Sequence, residues 1–304
     1  MQENSDIKRF NLPIISGEYR FNHQIKNWFD VKSKAEIFFK PANQIDLKNF
    51  LEKYPKSLKI NILGASSNVI IKDEIINGVL IKIGAGFSKI THYLEDNQII
   101  LESEAGNLCG NIANYCKKFG LTGLEFFSGI PGTVGGAVAM NAGCYNNDVA
   151  NNLKNVEMLD YSGNNHCFTN KECGFSYRKN QIIYDNQMII TTARFFVKQS
   201  TPELVEEAIK NLQKQREISQ PIRAKTGGST FKNPQGHKAW QLIDEAGCRG
   251  LKNGDAQISE KHCNFMINTG NATAKQLTDL GNIVIEKVFK NSNILLEWEI
   301  KFIK

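Results

Sequence analysis

The 304-residue chain lacks most of the features that assign a sequence quickly. No Cys-x-x-Cys pair occurs among its cysteines at 109, 116, 144, 167, 173, 248 and 263. None of the histidines at 23, 92, 166, 237 and 262 stands at ligand spacing from another, so no metal site is expected. Neither GxGxxG nor GKS/GKT follows the early strands, which excludes a Rossmann fingerprint and a P-loop there. A GxSxG elbow is also missing, which argues against a hydrolase triad. Met1 to Phe10 is polar and carries Lys8 and Arg9, so it does not read as a secretory signal. With an odd number of cysteines, that predicts buried free thiols in the cytoplasm. The one long uncharged stretch, Phe126 to Asn147, holds five Gly and a Pro and reads as a tightly turning loop rather than a membrane span. Charge is not concentrated either. The excess of 37 Lys+Arg over 31 Asp+Glu gives +6, with lysines spread along the chain, so no nucleic-acid partner is expected.

What is present is an ordinary globular balance, 41% hydrophobic and 22% charged, long enough for about two domains. Strands are expected at Lys34 to Phe39, Lys59 to Leu63, Val69 to Ile71, Val79 to Ile83, Gln98 to Ser103, Val156 to Tyr161 and Met188 to Val197. Helical spacing marks Asp46 to Tyr54, begun by Asp46 or the polar run before it, and Asn111 to Lys118, stopped by Gly120. After Pro202 come an amphipathic helix with Leu204, Ala208, Ile209 and Leu212 on one face, then helices at about 239–246 and 274–289. A terminal strand over Ile294 to Ile303 closes the chain, its alternation putting Glu297 and Glu299 on one face. The order is neither strict βαβ nor all-β, and predicts α+β with a boundary near 198–202.

Three small-residue clusters are candidates for chemistry. Gly64-Ala-Ser-Ser-Asn68 follows a strand, where bare backbone N–H groups can approach a phosphate, although most such turns are only turns. Gly129-Ile-Pro-Gly-Thr-Val-Gly-Gly136 suits close packing on a diphosphate-bearing or planar cofactor, or else is a buried crossover. Gly227-Gly-Ser-Thr-Phe-Lys-Asn-Pro234 exposes a hydroxyl at a tight turn near Lys232, with a plain Ser/Thr turn as the alternative. Arg178, among Phe175, Ser176 and Tyr177, is able to clamp a carboxylate, or simply packs on Tyr177.

Taken together and in order, these motifs closely resemble the UDP-N-acetylenolpyruvoylglucosamine reductase family in its shorter form. The resemblance runs from about Trp28 to Ile303. It is carried by Gly123 to Tyr145, Phe175 to Arg178, Gly228 to Pro234, Asp244 to Gly250 with His262 to Asn268, and Leu296 to Ile303. It implies an α+β chain: a two-lobed FAD-binding region of the vanillyl-alcohol-oxidase (PCMH) type over 1–200, with lobes of about 1–85 and 86–200, then a substrate domain over 201–304. The C-terminal strand would return to the site.

The same resemblance implies a reaction. NADPH reduces FAD, and the enolpyruvyl ether of UDP-N-acetylglucosamine is reduced to UDP-N-acetylmuramate for peptidoglycan precursor synthesis. The cofactor would be held by Gly64, Ala65, Ser66, Ser67 and Asn68, and by Gly129, Ile130, Pro131, Gly132, Thr133, Gly135 and Gly136. Arg178 would stabilise the carboxylate as charge builds. Glu299 would assist, with a raised pKa, because an ionised Glu would oppose the enediolate. Ser229 would donate the proton, helped by Lys232 or a water. Tyr145, Lys232, Asn233 and His262 would bind the substrate, although His262 also suits a purely structural place. The chain departs from the family pattern at Lys32-Ser33, at Ser66 where Gly is usual, at Cys144-Tyr145-Asn146, and at Asn253-Gly254-Asp255. A Ser at 66 costs little unless φ there is positive, when about 1 kcal/mol is lost. Another FAD-linked oxidoreductase of the same cofactor fold, or a chain that kept the fold without the flavin, are the rival readings.

Overall fold

The structure, a computed structural model, describes residues 2–71 and 75–303. It divides into two compact units that each draw on separated stretches of chain. One comprises 1–21, 37–65 and 78–214; the other comprises 22–36, 66–77 and 215–304.

In the first unit the helix Gln44–Lys53 buries Leu47, Phe50 and Leu51, and Phe50 packs against Phe39 with ring centroids 4.5 Å apart. The start lies in the polar run before Asp46: the Asn43 side chain accepts from the Asp46 N–H at 2.9 Å. Asp46 is instead a buried carboxylate that collects the N–H groups of Ser16, Gly17 and Ala42 at 2.7 to 2.9 Å. Three backbone donors on one acceptor tie the N-terminal segment to the helix. Two elements were not legible in the weakly patterned start, the helix Gln2–Arg9 and the strand Glu18–Gln24. The strand Glu18–Gln24 leads a four-stranded sheet, followed in order by Lys34–Lys40, Ile75–Lys82 and Ile60–Leu63. The last two run parallel, with Leu63 opposite Lys82.

A larger antiparallel sheet centres on Met188–Gln199, flanked by Leu153–Asp160 and Gln98–Glu104. Arg194 spans both flanks through Glu102 and Glu157. The helix Cys109–Phe119 buries Cys109, Ile112, Ala113 and Cys116 and ends at Gly120 in the left-handed region, as its spacing predicts. The stretch from 126 to 147 is more than a loop. It holds a 3-10 turn, Glu125–Gly129, and the helix Val134–Ala139, whose cap Thr133 accepts from the Gly136 N–H at 3.3 Å. Its glycines, poor helix formers, hide the helix from a propensity reading. In the helix Pro202–Ser219, Val205 and Ile209 are buried while Leu204 is 60% exposed, so the apolar face is rotated from the expected one.

The second unit has a four-stranded antiparallel sheet in the order Lys225–Ser229, Phe265–Asn268, Ala256–Ile258, Lys252–Asn253. Helix Ala274–Ser292 lays Leu277, Leu280, Val284 and Val288 into its core and starts in a Thr273/Gln276 capping box. The predicted terminal strand is shorter than expected. Only Lys301–Ile303 is regular, pairing in parallel with Val69–Ile71, and a single bridge joins Trp298 to Phe231. All seven cysteines are free; Cys167 is exposed and Cys144 half-buried, unlike the other five. No helix of the described residues is long and apolar enough to cross a membrane.

Asp46→Ala strands three backbone N–H groups at once and should cost about 3 kcal/mol or more. A urea midpoint within a few tenths molar of the unaltered chain would contradict this account of the N-terminal segment.

Candidate active site

In the first unit, two of the predicted loops meet. A Cβ at Gly64 would collide with Thr133 Oγ1, so the turn after Ile60–Leu63 must be glycine for Thr133 to sit against it. Part of the glycine in the second loop serves packing on residues 105–109. The Val134 and Gly135 N–H groups donate to Asn107 and Ala105 carbonyls at 2.8 and 2.9 Å, and a Cβ at Gly135 would lie 2.9 Å from that of Ala105. Gly132 accepts from the Cys109 N–H at 2.9 Å, and Ile130 and Pro131 are half-buried beside it. At the other end, a Cβ at Gly129 would sit 3.1 Å from Cys144 Sγ and 3.6 Å from the Tyr145 ring, so Gly129 makes room for that pair.

Tyr145 and Asn146 form the two-residue tip of a small hairpin, with φ of 54° and 64°. Both therefore sit left-handed, as a type I′ turn requires. Arg178 occupies a second such tip, after Tyr177, with φ of 58°. Its guanidinium lies 5.0 Å from the Tyr177 ring, in line with the plainer expectation, but Nη2 also donates to the Gly143 carbonyl at 2.8 Å and Nη1 to that of Asn141 at 3.5 Å. Asn141 in turn donates to the Ser176 carbonyl at 3.1 Å. The two strained tips, carrying Tyr145 and Arg178, are thus tied base to base.

In the second unit the order of assembly is different. The chain from Thr230 to Lys232 runs antiparallel to 297–300: Lys232 N–H donates to the Glu297 carbonyl at 2.8 Å, and Glu299 N–H to the Thr230 carbonyl at 2.9 Å. This ladder brings Glu299 alongside the segment that begins at Ser229. Gly228, with φ of 82°, lies in an irregular step between Thr226 and Ser229, which re-aims the Ser229 side chain. Asn68 closes the cluster. Its Nδ2 donates to the Gly227 carbonyl at 3.1 Å, and its carbonyl accepts from the Lys301 N–H at 3.1 Å.

Glu297 and Glu299, expected on one face, differ in exposure. Glu299 is 8% exposed, whereas the Glu297 side chain is 71% exposed and pairs with Lys232 Nζ at 3.1 Å. The segment passes from one partner, 230–232, to another, Val69–Ile71. Asn233 has a structural role, its Oδ1 accepting from the Ala239 N–H at 2.9 Å at the start of helix Ala239–Glu245. His262 accepts at Nδ1 from the Asn264 N–H at 3.3 Å and meets Phe265 edge-on at 4.8 Å. Burial holds its pKa below the usual value, so the ring is neutral with its proton on Nε2.

Asn264 is a frame residue that the sequence does not single out. Its side chain accepts from the Phe231 N–H at 2.9 Å and donates to the Phe231 carbonyl at 2.8 Å, standing in for a strand beside Ser229-Thr230. Its one signal is a polar residue inside the apolar run Cys263 to Ile267.

Ser66, too, adopts the left-handed conformation, with φ of 58°, and its buried Oγ has no partner among the described residues. In the same unit Asn68 Oδ1 is buried and unpartnered. In the first unit Asn61 Nδ2 and Ser128 Oγ are in the same state, within three residues of Gly64 and Gly129. Buried polar atoms are normally satisfied, so orphans beside a glycine loop mark a place for a polar ligand.

A family model described as "FAD binding domain" matches residues 35–167, and one described as "UDP-N-acetylenolpyruvoylglucosamine reductase, C-terminal domain" matches 220–303. A protein named UDP-N-acetylenolpyruvoylglucosamine reductase from Rickettsia bellii is 49% identical over 96% of this chain and 95% of its own length. The chain belongs to the UDP-N-acetylenolpyruvoylglucosamine reductase family. A relative of that name from Rickettsia prowazekii is 48% identical over 95% of this chain and 97% of its own length. The solved reductase from Thermus caldophilus superimposes with a TM-score of 0.79 at 31% identity, covering 96% of this chain and all of that one. The α+β class and an FAD-binding domain followed by a C-terminal reductase domain stand as read from the sequence. The unpartnered donors and acceptors beside the glycine loops fit a cofactor rich in phosphate and hydroxyl groups.

Ser66→Gly relieves the left-handed strain and removes a buried orphan hydroxyl. The variant should unfold with about 1 kcal/mol more stability in the absence of cofactor. A lower denaturant midpoint would show that the hydroxyl has a partner within the protein.

Proposed function

We propose that this chain is the FAD-dependent reductase that converts UDP-N-acetylenolpyruvoylglucosamine to UDP-N-acetylmuramate with NADPH, in peptidoglycan precursor synthesis. Close relatives of that name along nearly the whole chain support the reading, and one geometric observation carries it at the site: the antiparallel pairing that sets the buried Glu299 opposite Thr230, the residue next to Ser229. Residues 1–200 serve the cofactor, and 201–304 with the C-terminal strand serve the substrate. The loops Gly64 to Asn68 and Gly129 to Gly136 hold FAD, which when bound supplies the hydride drawn from NADPH.

The net chemistry adds a hydride to the vinyl carbon distal to the carboxylate and a proton to the carbon beside it. Negative charge accumulates on the carboxylate before that proton arrives. Arg178, anchored by the Gly143 carbonyl, faces that charge with a guanidinium already locked in place, so little reorganisation is needed. Ser229 holds the proton to be delivered. A serine hydroxyl is a weak acid, so it depends on neighbours able to stabilise its oxygen, and Lys232 lies three residues on. Because Lys232 is paired with Glu297, its charge is held in position rather than swinging freely. Glu299, removed from solvent, is suited to act as a hydrogen-bonding carboxyl rather than a solvated anion. Tyr145 and His262 offer polar tips for the nucleotide sugar. Free thiols throughout support a reducing, cytoplasmic setting.

Ser229→Ala should slow re-oxidation of the reduced flavin by the enolpyruvyl substrate by about a thousandfold, while anaerobic reduction by NADPH stays near normal. Stopped-flow absorbance separates the two steps. Equal damage to both would remove Ser229 from the proton-donor role, and normal reduction with no re-oxidation by this substrate in the unaltered chain would remove the substrate assignment. Arg178→Ala should slow the same second step and also weaken substrate binding; a loss of stability alone would contradict the clamp.

A further inference from the structure

The strands Ile60–Leu63 and Ile75–Lys82 run parallel, with Asn61 opposite Leu80 and Leu63 opposite Lys82. Ile60, Ile62, Val79 and Ile81 share the face turned to the hydrophobic core. Asn61, Leu63, Leu80 and Lys82 therefore share the other. On that face the Lys82 Nζ donates to the Gly64 carbonyl, at the very turn whose glycine is enforced by Thr133. Lys82 has no carboxylate within ion-pair distance among the described residues, and burial together with the nearby charge of Lys40 pushes its pKa down. Lys40 likewise has no ion pair among the described residues, and the Asn61 amide N–H group is buried without an acceptor. Lys82, with Lys40 near it, thus stands at the carboxyl end of its strand with no anion among the described residues, on the face of the sheet that also carries the Asn61 amide. A partly buried cation without a counter-charge is costly, and strand carboxyl ends are where open sheets receive ligands.

We propose that Lys82, with Lys40 near it and the Asn61 amide on the same face of the sheet, is an anchor for the diphosphate of FAD at the Gly64 turn. The assignment rests on the functional reading above. The choice of FAD over the other diphosphates of that reaction follows from position, since Lys40, Asn61, Gly64 and Lys82 all lie within the span matched by the FAD-binding model. Lys82 is a binding residue here. The ammonium neutralises phosphate charge, while its hydrogen bond to the Gly64 carbonyl fixes the turn in the shape that presents its N–H groups.

The test compares FAD with riboflavin, which has the same ring system and no phosphate. Both are titrated into the flavin-free full-length chain by fluorescence. Lys82→Met keeps the stem and removes the charge, so the flavin-free protein should melt no lower than the unaltered one. FAD affinity should fall about 10- to 100-fold while riboflavin affinity is unchanged. Lys82→Arg, which keeps the charge, should retain FAD affinity within about threefold. Unchanged FAD affinity in Lys82→Met, or an equal loss for riboflavin, would overturn the proposal. So would unchanged FAD affinity accompanied by a higher KM for NADPH or for the nucleotide sugar, which would hand the lysine to another diphosphate. Failure of the unaltered chain to bind FAD at all would overturn the functional reading and this inference with it.

Discussion

Residues 297–303 are held on two sides, and the chemistry of the second unit depends on that. Residues 297–299 pair antiparallel with 230–232, and Lys301–Ile303 pairs in parallel with Val69–Ile71. A segment joined to two partners has no freedom to slide by one residue, because a slip that satisfied one ladder would break the other. The consequence is chemical. Glu299 arrives buried opposite Thr230, Glu297 is left outside to hold Lys232, and Asn68 is locked between Gly227 and Lys301. Asn264 and the Thr230 hydroxyl complete the frame: Asn264 binds both backbone groups of Phe231, and Thr230 Oγ1 accepts from the Met266 N–H at 3.0 Å. None of these frame residues needs to touch a substrate for the backbone that carries Ser229 to be fixed.

The first unit uses strain for the same end. Tyr145, Asn146 and Arg178 sit left-handed without being glycine, each at a cost of about 1–2 kcal/mol. Glycine at these positions would relax the turn and lose the side chain. Their retention at hairpin tips tied together by Arg178 and Asn141 is the pattern expected where side-chain placement matters more than local stability. In the second unit Ser66 shows the same strain, with the further mark of a buried hydroxyl that nothing among the described residues satisfies.

Much of this was legible from residue order alone, and the misses share a cause. Regular periodicity found the helices Cys109–Phe119 and Ala274–Ser292 nearly to their ends, because each carries its own stop or cap. It does not tell the exposed Glu297 from the buried Glu299, two residues on. It gives no sign that the Asn233 side chain holds a helix start six residues away, a contact that composition does not announce. The positive φ of Ser66 turned a harmless-looking replacement of glycine into a strained one. Lys82 and Asn61 were passed over because single polar residues in short apolar strands look like ordinary edges. Only pairing in parallel, in register, puts them on one face. Long-range pairing is what periodicity cannot carry, and here the site is made almost entirely of it.

The claim on which the rest stands is that the double pairing of the C-terminal segment fixes Glu299 opposite Thr230, the residue next to Ser229. Amide hydrogen exchange at Lys232, Glu299 and Lys301 measures it directly, since each donates one rung of the pairing. These amides should exchange as slowly as those of Phe265 and Met266 in the adjoining strand, opening only when the whole unit unfolds. Exchange at the rate of an exposed loop, while that strand stays protected, would show the segment to be loosely laid and would contradict the account.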